Sequence, residues 1–158
     1  MKKLKTGFTL VELLVVISII STLVTMAVVS FRSSQFRARD VQRKSDLRQY
    51  QNALELYAND NGGLYPVRNV LESAYVTLCS DLGLSNCPQD PRGVSDSTLR
   101  YNYIAQGHSS IAAGQPGASE YLLTATLEVT QEYWIVCANG SSGAMPQTTT
   151  ISSSVCPF

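Results

Sequence analysis

A single acidic residue interrupts the longest apolar run of the chain. Residues 8–31 contain Glu12 as their only charged side chain, and the rest of the run is aliphatic, aromatic, Met, Ser or Thr. A carboxylate in a membrane-spanning helix costs about 2.5–3.5 kcal/mol near the helix centre and less towards its end. A residue that carries such a cost is a functional candidate by default, so Glu12 is the first candidate site residue.

A short motif stands directly before this carboxylate. Three lysines lie within residues 1–5, and Gly7 and Phe8 follow them. A glycine has no side chain, so the backbone can enter a protease cleft there without steric cost. The run from Lys5 to Glu12, KTGFTLVE, resembles the processing and methylation motif of type IV prepilins and type II secretion pseudopilins. Residues 46–66, DLRQYQNALELYANDNGGLYP, also resemble the corresponding stretch of pilins and major pseudopilins.

The resemblance implies a specific maturation chemistry. In that family a membrane peptidase cuts after the glycine, here between Gly7 and Phe8, and N-methylates the exposed amine of Phe8. Glu12 then lies four residues from that amine, one helical turn along the chain. It can pair with its own amine or with that of a neighbouring subunit, and the resemblance implies the second. Breaking such a buried pair costs about 3–5 kcal/mol.

The elements that position these residues begin with a very long helix. Residues 8–61 contain neither Gly nor Pro. As a helix, residues 8–31 span roughly 36 Å, enough to cross a hydrocarbon core of about 30 Å. The lysine-rich residues 1–7 form a leader that places the N-terminus in the cytoplasm. Residues 32–61 continue the helix as an amphipathic segment, with an end expected near the glycines at 62 and 63.

Helical spacing relates four apolar side chains of this second segment: Leu47, Tyr50, Leu54 and Tyr57. We expect this stripe to pack against a sheet, while exposure for helix–helix assembly is the alternative. Polar residues, Arg43 among them, are placed largely on other faces of the helix.

Residues 62–158 form a C-terminal globular domain. They hold nine of the ten glycines and all six prolines. Residues 69–82 are expected to form a short helix or loop. Strand patterns follow at 99–103, 120–129 and 133–138, with a tight hairpin at Thr130 and Gln131. Residues 140–158 are expected to be a loop. The predicted fold is therefore α+β, with a long N-terminal helix, transmembrane in its first half, packed on an antiparallel sheet of three or four strands.

All four cysteines lie in this domain. An even number outside the membrane indicates two disulfides, and three pairings are possible. We favour Cys79 with Cys87 and Cys137 with Cys156, because each pair closes a local loop. Free thiols in a reducing compartment are the alternative.

The sequence contains no catalytic constellation. No CxxC occurs, and the single histidine, His108, has no partner at metal-ligand spacing, so no metal or other cofactor is expected. Some pseudopilins bind calcium in a C-terminal loop, where Asp90 and Asp96 are the candidates here. Asn139 begins an Asn-Gly-Ser sequon, which often occurs by chance.

These observations favour a structural subunit of a pilus or pseudopilus filament. Its expected partners are other copies of itself, the prepilin peptidase, the assembly platform and the membrane. A basic face is absent, since residues 61–158 hold three basic and seven acidic side chains, which argues against nucleic-acid binding. The alternatives are a membrane-anchored binding module that does not polymerise and, without support from any residue, an enzyme. The expected location is the bacterial cell membrane, then a surface or extracytoplasmic filament.

Overall fold

The computed structural model describes residues 7–96 and 98–158. The chain divides after Phe36 into two compact units, and the second comprises Arg37–Phe158. Helix α1 runs from Leu10 to Asp60 through both units. It ends where expected, because Gly62 and Gly63 adopt positive φ angles of 68° and 84° that favour glycine.

Two sheets follow the helix in the second unit. Strand β1 (Tyr65–Pro66) pairs with β4 (Pro116–Ala118). The larger sheet is antiparallel, with the order β2-β3-β5-β6-β7. Its strands are Arg68–Ser73, Asn102–Ala105, Leu122–Thr126, Glu132–Cys137 and Ser142–Pro146, and helix α2 covers Leu78–Asp81. The predicted combination of a long helix with an antiparallel sheet is confirmed.

The core lies between the second part of α1 and one face of the larger sheet. Leu47, Tyr50 and Leu54 are completely buried there with Tyr103 and Leu123. Packing of the helical stripe against the sheet is thus confirmed, because its apolar side chains are buried against the sheet within the second unit. Alternate strand residues point to the outer face of the sheet, where a second cluster contains Ile104, Leu122, Ile135 and Cys137.

Besides β1 and β4, two segments of the larger sheet form strands that the sequence did not indicate. Residues 68–73, expected to be helix or loop, form edge strand β2, and only Leu78–Asp81 is helical. Residues 142–146, expected to be loop, form edge strand β7. The sheet therefore has five strands rather than three or four. Both segments lie at an edge with much exposed side-chain surface, so neither shows the apolar alternation of a half-buried strand.

The turn between β5 and β6 is also wider than predicted. The Leu127 amide donates to the Glu132 carbonyl at 2.8 Å, which leaves four residues in the loop instead of the tight turn at Thr130 and Gln131. Gln131 has a φ of 54° without being a glycine. Contacts from α1 to this loop, described below, hold it in place.

Candidate functional site

The Gly7–Phe8 bond lies just before α1 in the first unit. Both residues are outside the helix and exposed, and Phe8 retains 89% of its accessible surface. A Cβ built on Gly7 would have no atom within 4 Å. The protein's own fold therefore does not require a glycine at this position. The lysines of the motif, at positions 2, 3 and 5, lie outside the described residues.

Thr9 and Glu12 form a capping box at the start of the helix. Glu12 Oε2 accepts from the Thr9 amide at 3.2 Å and from its hydroxyl at 3.1 Å. In return, the Glu12 amide donates to Thr9 Oγ1 at 3.2 Å. These contacts satisfy amides that the first turn of a helix leaves without partners. The sequence itself carries the T-x-x-E signature of this motif at Thr9 and Glu12, which predicts the box from local spacing alone.

The first unit exposes its apolar surface almost completely. An 18-residue stretch of α1 has a mean hydropathy of 2.5, and none of its described side chains is buried. Its hydroxyls bond to carbonyls of the preceding turn; Ser21 and Thr25, for example, do so at 2.7 and 2.8 Å. Such bonds leave no free hydroxyl donor facing an apolar surrounding. By length and composition this helix can cross a membrane.

A buried arginine organises the beginning of the second unit. Arg43 has no exposed side-chain surface, and its guanidinium bonds to three carboxylates. Its Nε donates to Asp90 at 2.6 Å, Nη1 to Asp40 at 2.8 Å and Nη2 to Glu128 at 2.6 Å. Placing Arg43 away from the packed stripe was wrong. The spacing contained the signal, since Arg43 stands one turn before Leu47 on the same helix face.

This charge cluster connects α1 to two loops. Asp40 accepts from the backbone amides of Glu128 and Val129 at 2.8 and 3.0 Å, which fixes the β5–β6 loop. Arg39 Nε donates to Glu128 at 2.8 Å. The hydrogen bonds from Arg39 and then from Arg43 lower the pKa of Glu128 to about 2. Burial opposes the charge on Arg43, yet its bonds to Asp90 and Glu128 keep its pKa above the usual range.

Tyrosine hydroxyls tie the same helix to the rest of the domain. Tyr101 donates to Asp46 at 2.6 Å, and Tyr50 donates to the Pro88 carbonyl at 2.8 Å. Tyr121 donates to Glu55 at 3.1 Å. Burial and the bond to Asp46 raise the pKa of Tyr101. These phenols are therefore hydrogen-bonded core residues that join α1 to the rest of the domain.

The structure contains both disulfides of the favoured pairing. Cys79 joins Cys87 with Cα atoms 5.8 Å apart, and Cys137 joins Cys156 with Cα atoms 5.7 Å apart. The first closes the segment after α2. The second attaches the C-terminal tail, residues 147–158, to the outer face of β6.

The other candidate residues are engaged locally. Asp90 holds Arg43, whereas Asp96 accepts from Thr98 at 2.5 Å, so the two calcium candidates have different partners. Within residues 7–96 and 98–158, no group of three or more His, Cys, Asp or Glu side chains is placed to hold a metal ion. His108 bonds to Ser110 at 2.7 Å in an exposed loop. Asn139, the sequon residue, is exposed and accepts from the Ser141 amide at 2.9 Å. The expectation that the protein binds no metal or other cofactor stays a prediction.

Comparison with known proteins gives a match for the N-terminal segment. Residues 2–28 match the family described as the prokaryotic N-terminal methylation motif. No curated protein and no solved structure gives a significant match to the chain. The matched segment contains Gly7, Phe8 and the capping box, and it continues into the exposed apolar part of α1. The chain therefore carries the N-terminal methylation motif that is the hallmark of type IV pilin-like prepilin proteins.

Proposed function

We propose that the protein is a structural subunit of a type IV pilus or of a related pseudopilus. The observation that carries the proposal is a methylation motif that continues into an exposed apolar helix. Residues 1–7 are the leader that a prepilin peptidase removes. Residues 8–31 cross the cytoplasmic membrane and later form the filament core, residues 32–61 continue the helix, and residues 62–158 form the outer domain.

The apolar surface of the first unit must be buried against lipid or another protein. Leu10, Leu23 and Met26 retain 81%, 62% and 74% of their accessible surface. Apolar surface contributes about 25 cal/mol per Å² when it leaves water, so this helix is stable only in a lipid or protein surrounding. A bilayer provides that surrounding for the single-pass precursor, whose N-terminus is cytoplasmic. Apolar helices of neighbouring subunits provide it in the filament.

Cleavage fits the position of Gly7. Because the protein's own packing does not require glycine there, a partner that needs an unobstructed backbone explains the residue better. The cut removes the leader lysines and leaves one amine, on Phe8, at the start of the helix. Methylation of that amine by the peptidase keeps its positive charge.

Glu12 has an oxygen available for this new charge. Only Oε2 takes part in the capping box, and within the described ranges Oε1 bonds to no residue. We assign as its counter-charge the N-terminal amine of Phe8 in a neighbouring mature subunit. Pairing between subunits also sets the register along the filament, which pairing within one chain does not. This role requires no cofactor.

The mass of the mature protein tests the processing step. Purified from native membranes, the chain should begin at Phe8 and carry one added methyl group. A chain that retains residues 1–7 would instead support the alternative, a membrane-anchored binding module with the same helix as a tether.

Two substitutions separate the charge of Glu12 from its capping role. Glu12→Gln keeps an acceptor for the capping box but has no charge, so the protein should insert in the membrane and form no filaments. Thr9→Ala removes the box at a cost of about 1 kcal/mol yet leaves the charge, so filaments should still form. The measurement is filament yield by electron microscopy and shearing. Wild-type yield from Glu12→Gln would contradict the charge-pair mechanism.

A further inference from the structure

The outer face of the five-stranded sheet carries a pocket of about 310 Å³. This is the face whose side chains form the second cluster and not the core shared with α1. The floor of the pocket comes from β3, β5 and β6, and one wall comes from the C-terminal tail. Its polar lining side chains are Asn102, Thr124, Tyr133, Gln147, Thr149 and Thr150. The volume lies at the lower end of the range of small-molecule sites.

The tail that forms the wall is held in place at three points. The disulfide between Cys137 and Cys156 attaches it to β6. Gln106 Nε2 donates to the Ser152 carbonyl at 3.1 Å. The Phe158 ring lies so close to Gly143 that a Cβ there would come within 2.7 Å of it. The pocket is therefore a formed feature of the domain and not a gap under a loose end.

One lining residue has a hydroxyl that the fold does not use. Thr124 is 1% exposed, and its side chain makes no hydrogen bond with any residue of the described ranges. Among those ranges every fully enclosed side-chain polar atom has a partner, so this hydroxyl must be reached from the pocket. Buried polar groups without partners are rare because they lose hydration without compensation. The Thr124 hydroxyl avoids this cost only because it faces the pocket, where it is free to bond to a ligand.

The lining chemistry defines the ligand class. All six polar side chains are neutral, and none bonds through its side chain to another described residue. A charged ligand would lose its hydration here without meeting a counter-charge. An apolar ligand would cover the buried Thr124 hydroxyl without giving it a hydrogen-bond partner. A neutral sugar matches these polar side chains, because its hydroxyls both donate and accept, and its C–H face can lie on the Tyr133 ring.

We propose that this pocket binds a neutral saccharide unit, with the Thr124 hydroxyl as a direct contact. The site is independent of polymerisation, since all of its residues lie in the second unit. In a filament it would be repeated on every subunit.

Saturation-transfer NMR on the full-length protein tests the proposal. The detergent must have no sugar headgroup, and dodecylphosphocholine meets this condition. The probes are D-glucose, D-galactose, N-acetyl-D-glucosamine and lactose, with N-acetylneuraminic acid and a blocked tri-alanine peptide for comparison. We expect at least one neutral sugar to receive saturation. Thr124→Val should weaken its binding about tenfold, the effect of losing one hydrogen bond.

Thr126→Val is the matched control. Thr126 lies on the same strand and the same sheet face, but it does not line the pocket. Its substitution should leave the affinity unchanged. Thr124→Val should not lower the Tm, because valine has the shape of threonine and the lost hydroxyl has no partner within the described ranges. The proposal is overturned if no neutral sugar binds, if both variants weaken binding equally, or if the charged sugar or the peptide binds through Thr124 instead.

Discussion

Replacing Arg43 by methionine should destabilise the second unit severely. The substitution keeps the length and apolar stem of the side chain but removes the charge that three carboxylates share. Glu128 retains Arg39 as a partner. Asp90 is affected most, because its side chain is 1% exposed and both its oxygens bond to Arg43. Leaving such a charge buried without a partner costs about 3–5 kcal/mol.

Urea unfolding of the full-length protein in detergent measures this loss. Trp134 is the only tryptophan of the chain and packs against the core, so its fluorescence reports on the second unit. With an m-value of about 2 kcal/mol/M, a loss of about 4 kcal/mol lowers the midpoint by about 2 M. Arg48→Met is the matched control: Arg48 is exposed on the same helix, and its replacement should change stability by less than about 0.5 kcal/mol.

A second comparison isolates the buried charge. Adding Asp90→Asn to Arg43→Met removes the unpaired carboxylate, so the double variant should lose less than the sum of the two single variants. A loss below about 1 kcal/mol from Arg43→Met would refute the reasoning. That value is typical of solvent-exposed ion pairs, and it would mean that water reaches the cluster.

Three further outcomes are expected. The folded-state pKa of Glu128 is about 2, below its ordinary value of 4.5, so the stability that Glu128 contributes is present above pH 4.5 and is lost as the pH falls towards 2. Unfolding measured as a function of pH checks this, because Glu128→Gln should lack the loss of stability between pH 4.5 and 2. Replacing Cys137 and Cys156 by serine should cost about 3 kcal/mol and expose the outer sheet face to dye binding. Gly62→Ala should lower the free energy of unfolding by about 1 kcal/mol in thermal unfolding, because Gly62 has a φ of 68°. The opposite replacement inside α1, Ala53→Gly, should cause a loss of similar magnitude and serves as the comparison.

Much of the candidate site could be predicted from the sequence, because its features arise from residues that are close together along the chain. A run without Gly or Pro extends the helix from residue 10 to 60, and the two glycines after it allow the turn that ends it. Glu12 attracts attention by its type alone in an apolar stretch. The two disulfides close loops of 8 and 19 residues, so local loop closure was enough to favour the correct pairs.

The sequence failed where partners are far apart in the chain. Arg43 meets Asp90 and Glu128 across 47 and 85 residues, so helical spacing can place it on the buried face but cannot say which carboxylates it meets there. The edge strands β2 and β7 have little buried surface, so pairing with β3 and β6 determines them rather than their own composition. Gln131 adopts a positive φ within a loop whose amides bond to Asp40 of α1.

The sequence by itself determined the precursor motif, the exposed apolar helix and the class of the fold, since each follows from periodicity, residue type or short spacing. Only the tertiary structure decided which charges are buried together, which segments join the sheet and that Thr124 and the tail line one pocket. The physical reason is that burial and pairing energies arise between elements that the chain brings together only when it folds.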